Sequence, residues 1–264
     1  MKKTSLITVI VINIISIQLF GSANDTINQV DKGGLKQGYW TKNYENGKSM
    51  YEGYFKDDKP TGKMVRFYKS GAIRAILNYQ ENTGYCDVTF YYENGSKSAE
   101  GFFEGNKKDS TWRFYSYYTK TLNTVENYKN DMKNGRSYIY YPSGQIFDET
   151  DFVDGLKNGQ WSQYYEDGSL KMMTYYENDQ LYGCFNVFFP DGSPEIVGRY
   201  EYNLRHGNWL YYNKEGEKLI EVQYDMGKVL NEEELTSKEQ EFFKQMDENI
   251  GKINEPEIED FVGY

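Results

Sequence analysis

A glycine returns every 24 residues along most of this chain: Gly38, Gly62, Gly135, Gly159, Gly183 and Gly207, with Cys86 and Ser110 in the third and fourth slots. The step from Ser110 to Gly135 is 25, so one residue is inserted inside the fourth unit. A second series sits nine residues later: Gly47, Gly71, Gly95, Thr119, Gly144, Gly168, Gly192 and Gly216. Eight copies of one short unit therefore fill about residues 36–228. A fixed period of this size implies a stack of supersecondary units, none of which can bury its apolar side alone.

The sixth copy shows the unit: Lys157-Asn158-Gly159-Gln160-Trp161-Ser162-Gln163-Tyr164-Tyr165-Glu166-Asp167-Gly168. A β-rich run enters Asp-Gly, a turn signal between two strands. The same slot reads Asn46-Gly47, Asn94-Gly95, Ser143-Gly144, Asp191-Gly192 and Glu215-Gly216. Glycine there supplies the positive φ a hairpin turn needs. Each copy is one β-hairpin, and the fold class is all-β: an elongated open meander of about sixteen strands.

Three columns carry the packing. Two residues past the first glycine stand Trp40, Met64, Val88, Trp112, Ser137, Trp161, Phe185 and Trp209. Near seventeen past it stand Phe55, Tyr79, Phe103, Tyr128, Phe152, Tyr176, Tyr200 and Tyr224. Five past it stand Asn43, Phe67, Tyr91, Tyr115, Tyr140, Tyr164, Phe188 and Tyr212. A single-layer sheet has no globular core, so aromatic ladders replace one; this accounts for 27 tyrosines beside only 38% hydrophobic residues. Which column faces water is open at this point, because a one-residue slip in register exchanges the faces.

The ends are different. Met1-Lys2-Lys3, the apolar run Leu6 to Phe20 and Gly21-Ser22-Ala23 have the order of a secretory signal peptide, 1–23, with cleavage after Ala23. The expected mature protein is exported, periplasmic or extracellular, without stable membrane insertion. Residues 24–35 are a polar lead-in. Residues 229–264 carry 11 acidic and 3 basic side chains in a chain of net charge −10. An acidic balance without a basic stripe argues against nucleic acid and anionic lipid. Within the tail, Leu235, Phe242, Phe243, Met246 and Ile250 form an uneven apolar stripe, read as a short helix over about 231–250. It either caps the last repeats or docks a partner.

Catalytic signatures are missing. His206, the one histidine, falls at a turn position, and no cluster has metal-ligand spacing. The glycines precede strands, not the helices of a phosphate loop. No cofactor is expected. Cys86 and Cys184 lie four repeats apart, roughly 38 Å in a regular stack, which excludes a disulfide between them.

The pattern Gly-x-Trp-x-x-Tyr-Tyr-x-x-Gly, best seen at Gly38–Gly47 and Gly159–Gly168, resembles the bacterial MORN-repeat variant. Proteins built wholly of it are grouped as YwqK-type antitoxins. The resemblance implies a non-catalytic scaffold that binds another protein, with silencing of a toxin as a special case. A glycan-binding surface is the alternative, with Phe67, Tyr91, Tyr115, Tyr140, Tyr164, Phe188 and Tyr212 as a stacking platform at ~9.6 Å intervals. A purely structural spacer is the third reading.

Overall fold

The computed structural model describes residues 27–81, 83–237, 240, 241 and 244. The expected signal peptide lies outside them, as does the chain from 245 onward.

Sixteen strands of six to nine residues run antiparallel in chain order, from Lys36–Asn43 to Lys218–Asp225. Five two-residue strands bring the open sheet to 21. Three of these are the leading ends of strands interrupted at the first-glycine slot, as at Met132–Lys133 before Gly135–Tyr140, and a fourth, Lys228–Val229, pairs with Lys218–Asp225 at the finishing edge. The fifth, Gln29–Val30, pairs with Lys36–Asn43 at the starting edge.

Two kinds of turn alternate. Inside a hairpin, the Gly47 N–H donates to the Tyr44 carbonyl at 2.9 Å, with Gly47 at φ 80°, and six other copies repeat the arrangement. The inserted residue falls in the fourth hairpin loop. There Lys120, not Thr119, takes the positive φ, and its N–H reaches the Ser116 carbonyl one residue further back. Between hairpins the turns are tighter. Asp57-Asp58, Asn130-Asp131, Asp154-Gly155, Asn178-Asp179, Tyr202-Asn203 and Met226-Gly227 all hold both residues at positive φ. That geometry matches the right-handed twist of the flanking strands and favours Asn, Asp and Gly. In the third repeat Gly84 adopts positive φ in place of Cys86, whereas Ser110 adopts it in the fourth.

Neighbouring repeats are tied along both long sides of the sheet. On the hairpin-loop side, the Tyr44, Tyr68 and Tyr92 hydroxyls donate to the carbonyls of Phe67, Tyr91 and Tyr115 at 2.8, 2.7 and 2.9 Å. Tyr141 and Tyr165 do the same to Tyr164 and Phe188, each at 2.9 Å. The equivalent positions in the fourth and seventh copies are Ser116 and Phe189, which have no phenol to offer. On the opposite side, a residue of seven junction turns clips to the start of the preceding repeat. Asp179 N donates to Lys157 O at 2.9 Å while Asp179 Oδ1 accepts from Lys157 N at 2.7 Å. Asp58 and Lys36 form the same pair.

The first and seventeenth-residue columns share one face, called here the Trp face. Its core is discontinuous. One apolar cluster joins Met64, Ala75, Leu77, Cys86, Val88 and Trp112. The other joins Tyr200, Trp209, Tyr211, Ile220, Val222 and Tyr224. Between them, Met172 apart, the buried side chains are polar, among them Thr124, Glu126, Ser137, Asp148, Thr150 and Thr174. Glu126, 2% exposed, is held by Lys133 Nζ at 2.7 Å and the Tyr128 hydroxyl at 2.5 Å. Asp148 accepts from Trp161 Nε1 at 2.6 Å and from Thr150 Oγ1 at 2.9 Å.

Both outer edges carry an asparagine side chain. Asn28 Oδ1 accepts from Thr41 N at 2.9 Å on the first repeat. Asn231 Oδ1 accepts from Gln223 N at 2.9 Å, and its Nδ2 donates to Glu221 O at 3.0 Å, on the last. Such contacts consume backbone groups that would otherwise template another strand. Asn231 therefore serves the sheet edge and makes no side-chain cap for Glu232–Glu234, which form a 3-10 turn. Ser237, Gln240, Glu241 and Lys244 are α-helical, and Leu235 packs on the last apolar cluster.

Candidate functional site

Large side chains on the Trp face fit because their neighbours are small. Trp112, 1% exposed, lies over Gly101 of the preceding strand, and Trp209 lies over Gly198. A Cβ at Gly101 would stand 2.5 Å from Trp112 Cε2, far inside contact distance. Gly53 faces Met64 in the same way, at 3.0 Å from its Cβ. These three glycines belong to neither 24-residue series, but each precedes the Trp-column residue by eleven. That offset was the signal available in the sequence.

Cations then cover the aromatic rings. The residue two before the first glycine is Lys36, Lys108, Lys133, Lys157 or Arg205 in five repeats. Lys108 Nζ sits 5.1 Å from the Trp112 ring and 4.7 Å from Tyr128, and Lys157 sits 4.9 Å from Tyr176. Arg205 stands 4.9 Å from the Trp209 ring. Burial among rings pulls the Lys108 ammonium below its ordinary pKa, the expected direction for a cation leaving water. The Trp face is thus largely occupied by its own side chains.

The opposite face carries the column five past the first glycine. Phe67, Tyr91, Tyr115, Tyr140, Tyr164, Phe188 and Tyr212 are each half-buried. A β-bulge beside each of them, as between Phe114 and Tyr115, ends the regular ladder before the loop. Phe67 also lines a groove on the Trp face, near the loop side. Two tyrosines are fixed by carboxylates. Tyr115 OH donates to Glu100 Oε1 at 2.5 Å, and Tyr164 OH to Glu149 Oε1 at 2.7 Å. Burial, then the hydrogen bond to each glutamate, pushes both phenols up to about 12. Burial raises Tyr140 also, with Tyr138 adding to it.

Charges interleave with the rings. Lys97 Nζ lies 2.7 Å from Glu100 Oε2 and 5.2 Å from the Tyr115 ring. Hydrogen bonds from Lys97 and Tyr115 hold Glu100 below the usual carboxylate range. Arg136 grips Asp151 with two bonds, Nε–Oδ1 2.7 Å and Nη2–Oδ2 2.9 Å, and lies 3.7 Å from Glu149 Oε2. The guanidinium lowers Asp151 in turn. Tyr164, Glu149, Arg136 and Asp151 so form one network across two repeats.

His206 stands between Glu201 and Asp225, at 3.8 and 3.6 Å, on the junction-turn side. Cys86 is buried in the first apolar cluster, where burial pushes its thiol up to about 11, and Cys184 is exposed; both are free thiols. Among the described residues no three His, Cys, Asp or Glu side chains gather as metal ligands.

The repeating unit runs from the ring-covering cation to the junction turn, and this is the unit that comparison finds. Residues 36–57, 133–154 and 157–178 match the MORN repeat variant. The match supports a MORN-repeat protein. It covers the first, fifth and sixth repeats, whose opening residues are Lys36, Lys133 and Lys157. No curated protein matches. Solved structures titled TcdB2-TccC3-TEV, TcdB2-TccC3 and TcdB2-TccC3-Cdc42 align with 70%, 75% and 76% of this chain, at 12%, 10% and 11% identity. The chain spans only 12%, 17% and 16% of their lengths, and the TM-scores are 0.20, 0.17 and 0.17. Scores this low carry no argument. MORN repeats mediate protein and membrane binding and are ordinarily non-enzymatic, in keeping with a scaffold built from hairpins.

Proposed function

We propose that this chain is an exported, non-catalytic MORN-repeat scaffold that binds another protein through the face bearing Phe67, Tyr91, Tyr115, Tyr140, Tyr164, Phe188 and Tyr212. One observation carries the reading: in five repeats the Trp face is covered by its own side chains, Lys36, Lys108, Lys133, Lys157 and Arg205, whereas the half-buried rings of the other face carry one such cation among the described residues, Lys97 over Tyr115. Tyrosine and arginine among carboxylates are the residue types enriched where proteins meet. Export rests on the signal-like order of residues 1–23. An immunity-like or antitoxin-like role, in which the bound protein is a toxin, is the special case suggested by the YwqK-type resemblance.

The test is mild cross-linking of tagged, exported protein in its own host, followed by mass spectrometry. A Tyr140→Ser/Tyr212→Ser variant is run alongside, its fold checked by circular dichroism. A reproducible partner lost in the variant supports the reading, and a toxin supports the special case. A partner recovered equally with the variant refutes this face. No partner from either, together with ligands on a glycan array, replaces protein with sugar.

A further inference from the structure

Charge is distributed unequally along the sheet. Residues 36–83, the first two repeats, hold nine basic and five acidic side chains, in a chain whose net charge is −10. The same two repeats break the packing rule of the Trp face. The position four past the first glycine is Phe90, Phe114, Ile139, Gln163, Val187 or Tyr211 in later copies, but a cation, Lys42 or Arg66, in the first two. The Trp slot of the second repeat holds the slimmer Met64 over Gly53. Loss of bulk there leaves a groove of about 350 Å³, walled by Tyr51, Phe55 and Met64 and bearing Lys36, Arg66 and Arg74. Among the described residues neither arginine has an ion-pair partner; Arg74 only faces the Tyr68 ring at 5.8 Å. Two unpaired guanidiniums in an aromatic-walled groove, on an acidic protein, form a receptor for carboxylates joined to apolar side chains.

That chemistry is present in the chain itself. Residues 255–261 read Glu255-Pro256-Glu257-Ile258-Glu259-Asp260-Phe261, four carboxylates interleaved with Ile and Phe. Their own groove is too far along the sheet. The last long strand, Lys218–Asp225, is twelve strand spacings beyond Ile73–Tyr79, or about 58 Å. From Lys244, fully extended chain reaches at most about 40 Å at Glu255, so the segment as a whole falls short of that distance. A second molecule presents no such limit. We propose that the groove over the first two repeats receives residues 255–261 of another copy of this chain, joining molecules head to tail. The contact is heterologous, so each pair leaves one groove and one tail free for a further copy. Of the tyrosine-face column, the groove shares Phe67 alone.

Sedimentation of the full mature chain tests this, because the two halves of the contact can be removed separately. One variant carries Arg66→Gln/Arg74→Gln; the other carries Glu255→Gln/Glu257→Gln/Glu259→Gln/Asp260→Asn. Arg66 and Arg74 are exposed, so neither substitution touches the core, and circular dichroism checks the fold. Wild type is expected to associate in a concentration-dependent series, weakened at least about tenfold by raising salt from roughly 0.05 to 0.5 M. Each variant alone is expected to be monomeric. Their equimolar mixture should restore association and stop at two, since only one groove and one tail remain. A wild type monomeric at all concentrations overturns the proposal. So does continued association of either variant, or a monomer whose tail is protease-protected until the arginines are changed.

Discussion

Gly101→Ala tests the packing of the Trp face at its tightest point. Gly101 sits in a strand without positive φ, so alanine is conformationally acceptable there. Through the unfolded state alone the change would stabilise by about 0.4–1 kcal/mol. The structure reverses the sign. The new Cβ would lie 2.5 Å from Trp112 Cε2 and 2.7 Å from Cγ, so the indole must withdraw by more than an ångström. It has little room to do so: Phe103 meets it edge-on at 4.9 Å, Phe114 stacks at 6.1 Å, and its Nε1 donates to Phe102 O at 3.0 Å. Overpacking costs about 1–3 kcal/mol, and outright expulsion of a buried tryptophan about 3–5 kcal/mol. A net loss of about 3 kcal/mol is expected, between those limits. Urea unfolding followed by tryptophan fluorescence and near-ultraviolet circular dichroism reads it. Trp112→Met, which copies Met64 over Gly53, should absorb much of the cost, giving a coupling of at least about 1 kcal/mol in a double-mutant cycle. A Gly101→Ala protein as stable as wild type would refute the packing argument.

Tyr68→Phe and Tyr92→Phe each delete one inter-repeat hydrogen bond and should each cost about 1 kcal/mol, additively, in urea unfolding. Lys133→Ala strands the buried Glu126 carboxylate and should cost about 3 kcal/mol, most of it recovered in Lys133→Ala/Glu126→Gln. Asp151 is held low by Arg136, so its contribution is present above the unfolded carboxylate value of about 4 and is lost as pH falls through the lowered folded value. Thermal melts of wild type and Arg136→Gln should therefore differ at pH 7 and converge as pH falls toward ~2. Asn231→Ala frees Gln223 N and Glu221 O at the last edge and should cost about 1 kcal/mol, with faster thioflavin-positive aggregation on heating.

Hairpin number, strand order and turn positions were legible because the glycine slots must take positive φ, a requirement that shows in residue type. Even the sixteen long strands follow from it. The exceptions obey the same physics less visibly, since Lys120 and Ser110 adopt positive φ without being glycine. Face assignment was not legible, because alternation fixes which residues share a face but not what covers it. The covering lysines were hidden by snorkelling: Lys108 and Lys157 stand two residues before the first-glycine slot, yet their stems carry the ammonium over rings. The polar middle was hinted at by Ser137 in the Trp column. Glu126, Thr150 and Thr174 lie in a column without aromatic residues, which repeat counting does not highlight. Of the helix expected over 231–250, residues 232–234 form a 3-10 turn because Asn231 satisfies a strand, residues 237, 240, 241 and 244 are helical, and most of the remainder lies outside the described residues.

Hairpins tied only to their neighbours behave under load as springs in series, and the softest one sets the yield. Here the softest joint is the fourth. Its loop is a residue longer, Ser116 replaces the stapling tyrosine, and the first apolar cluster gives way to Glu126 and Ser137. Ser137 Oγ and Thr174 Oγ1, both buried, have no hydrogen-bond partner among the described residues, so the stretch beyond that joint is further weakened. Tension applied to the two ends would open the sheet there first. Two stiff aromatic blocks would remain, joined by extended chain, so the protein could lengthen abruptly while each block kept its own shape.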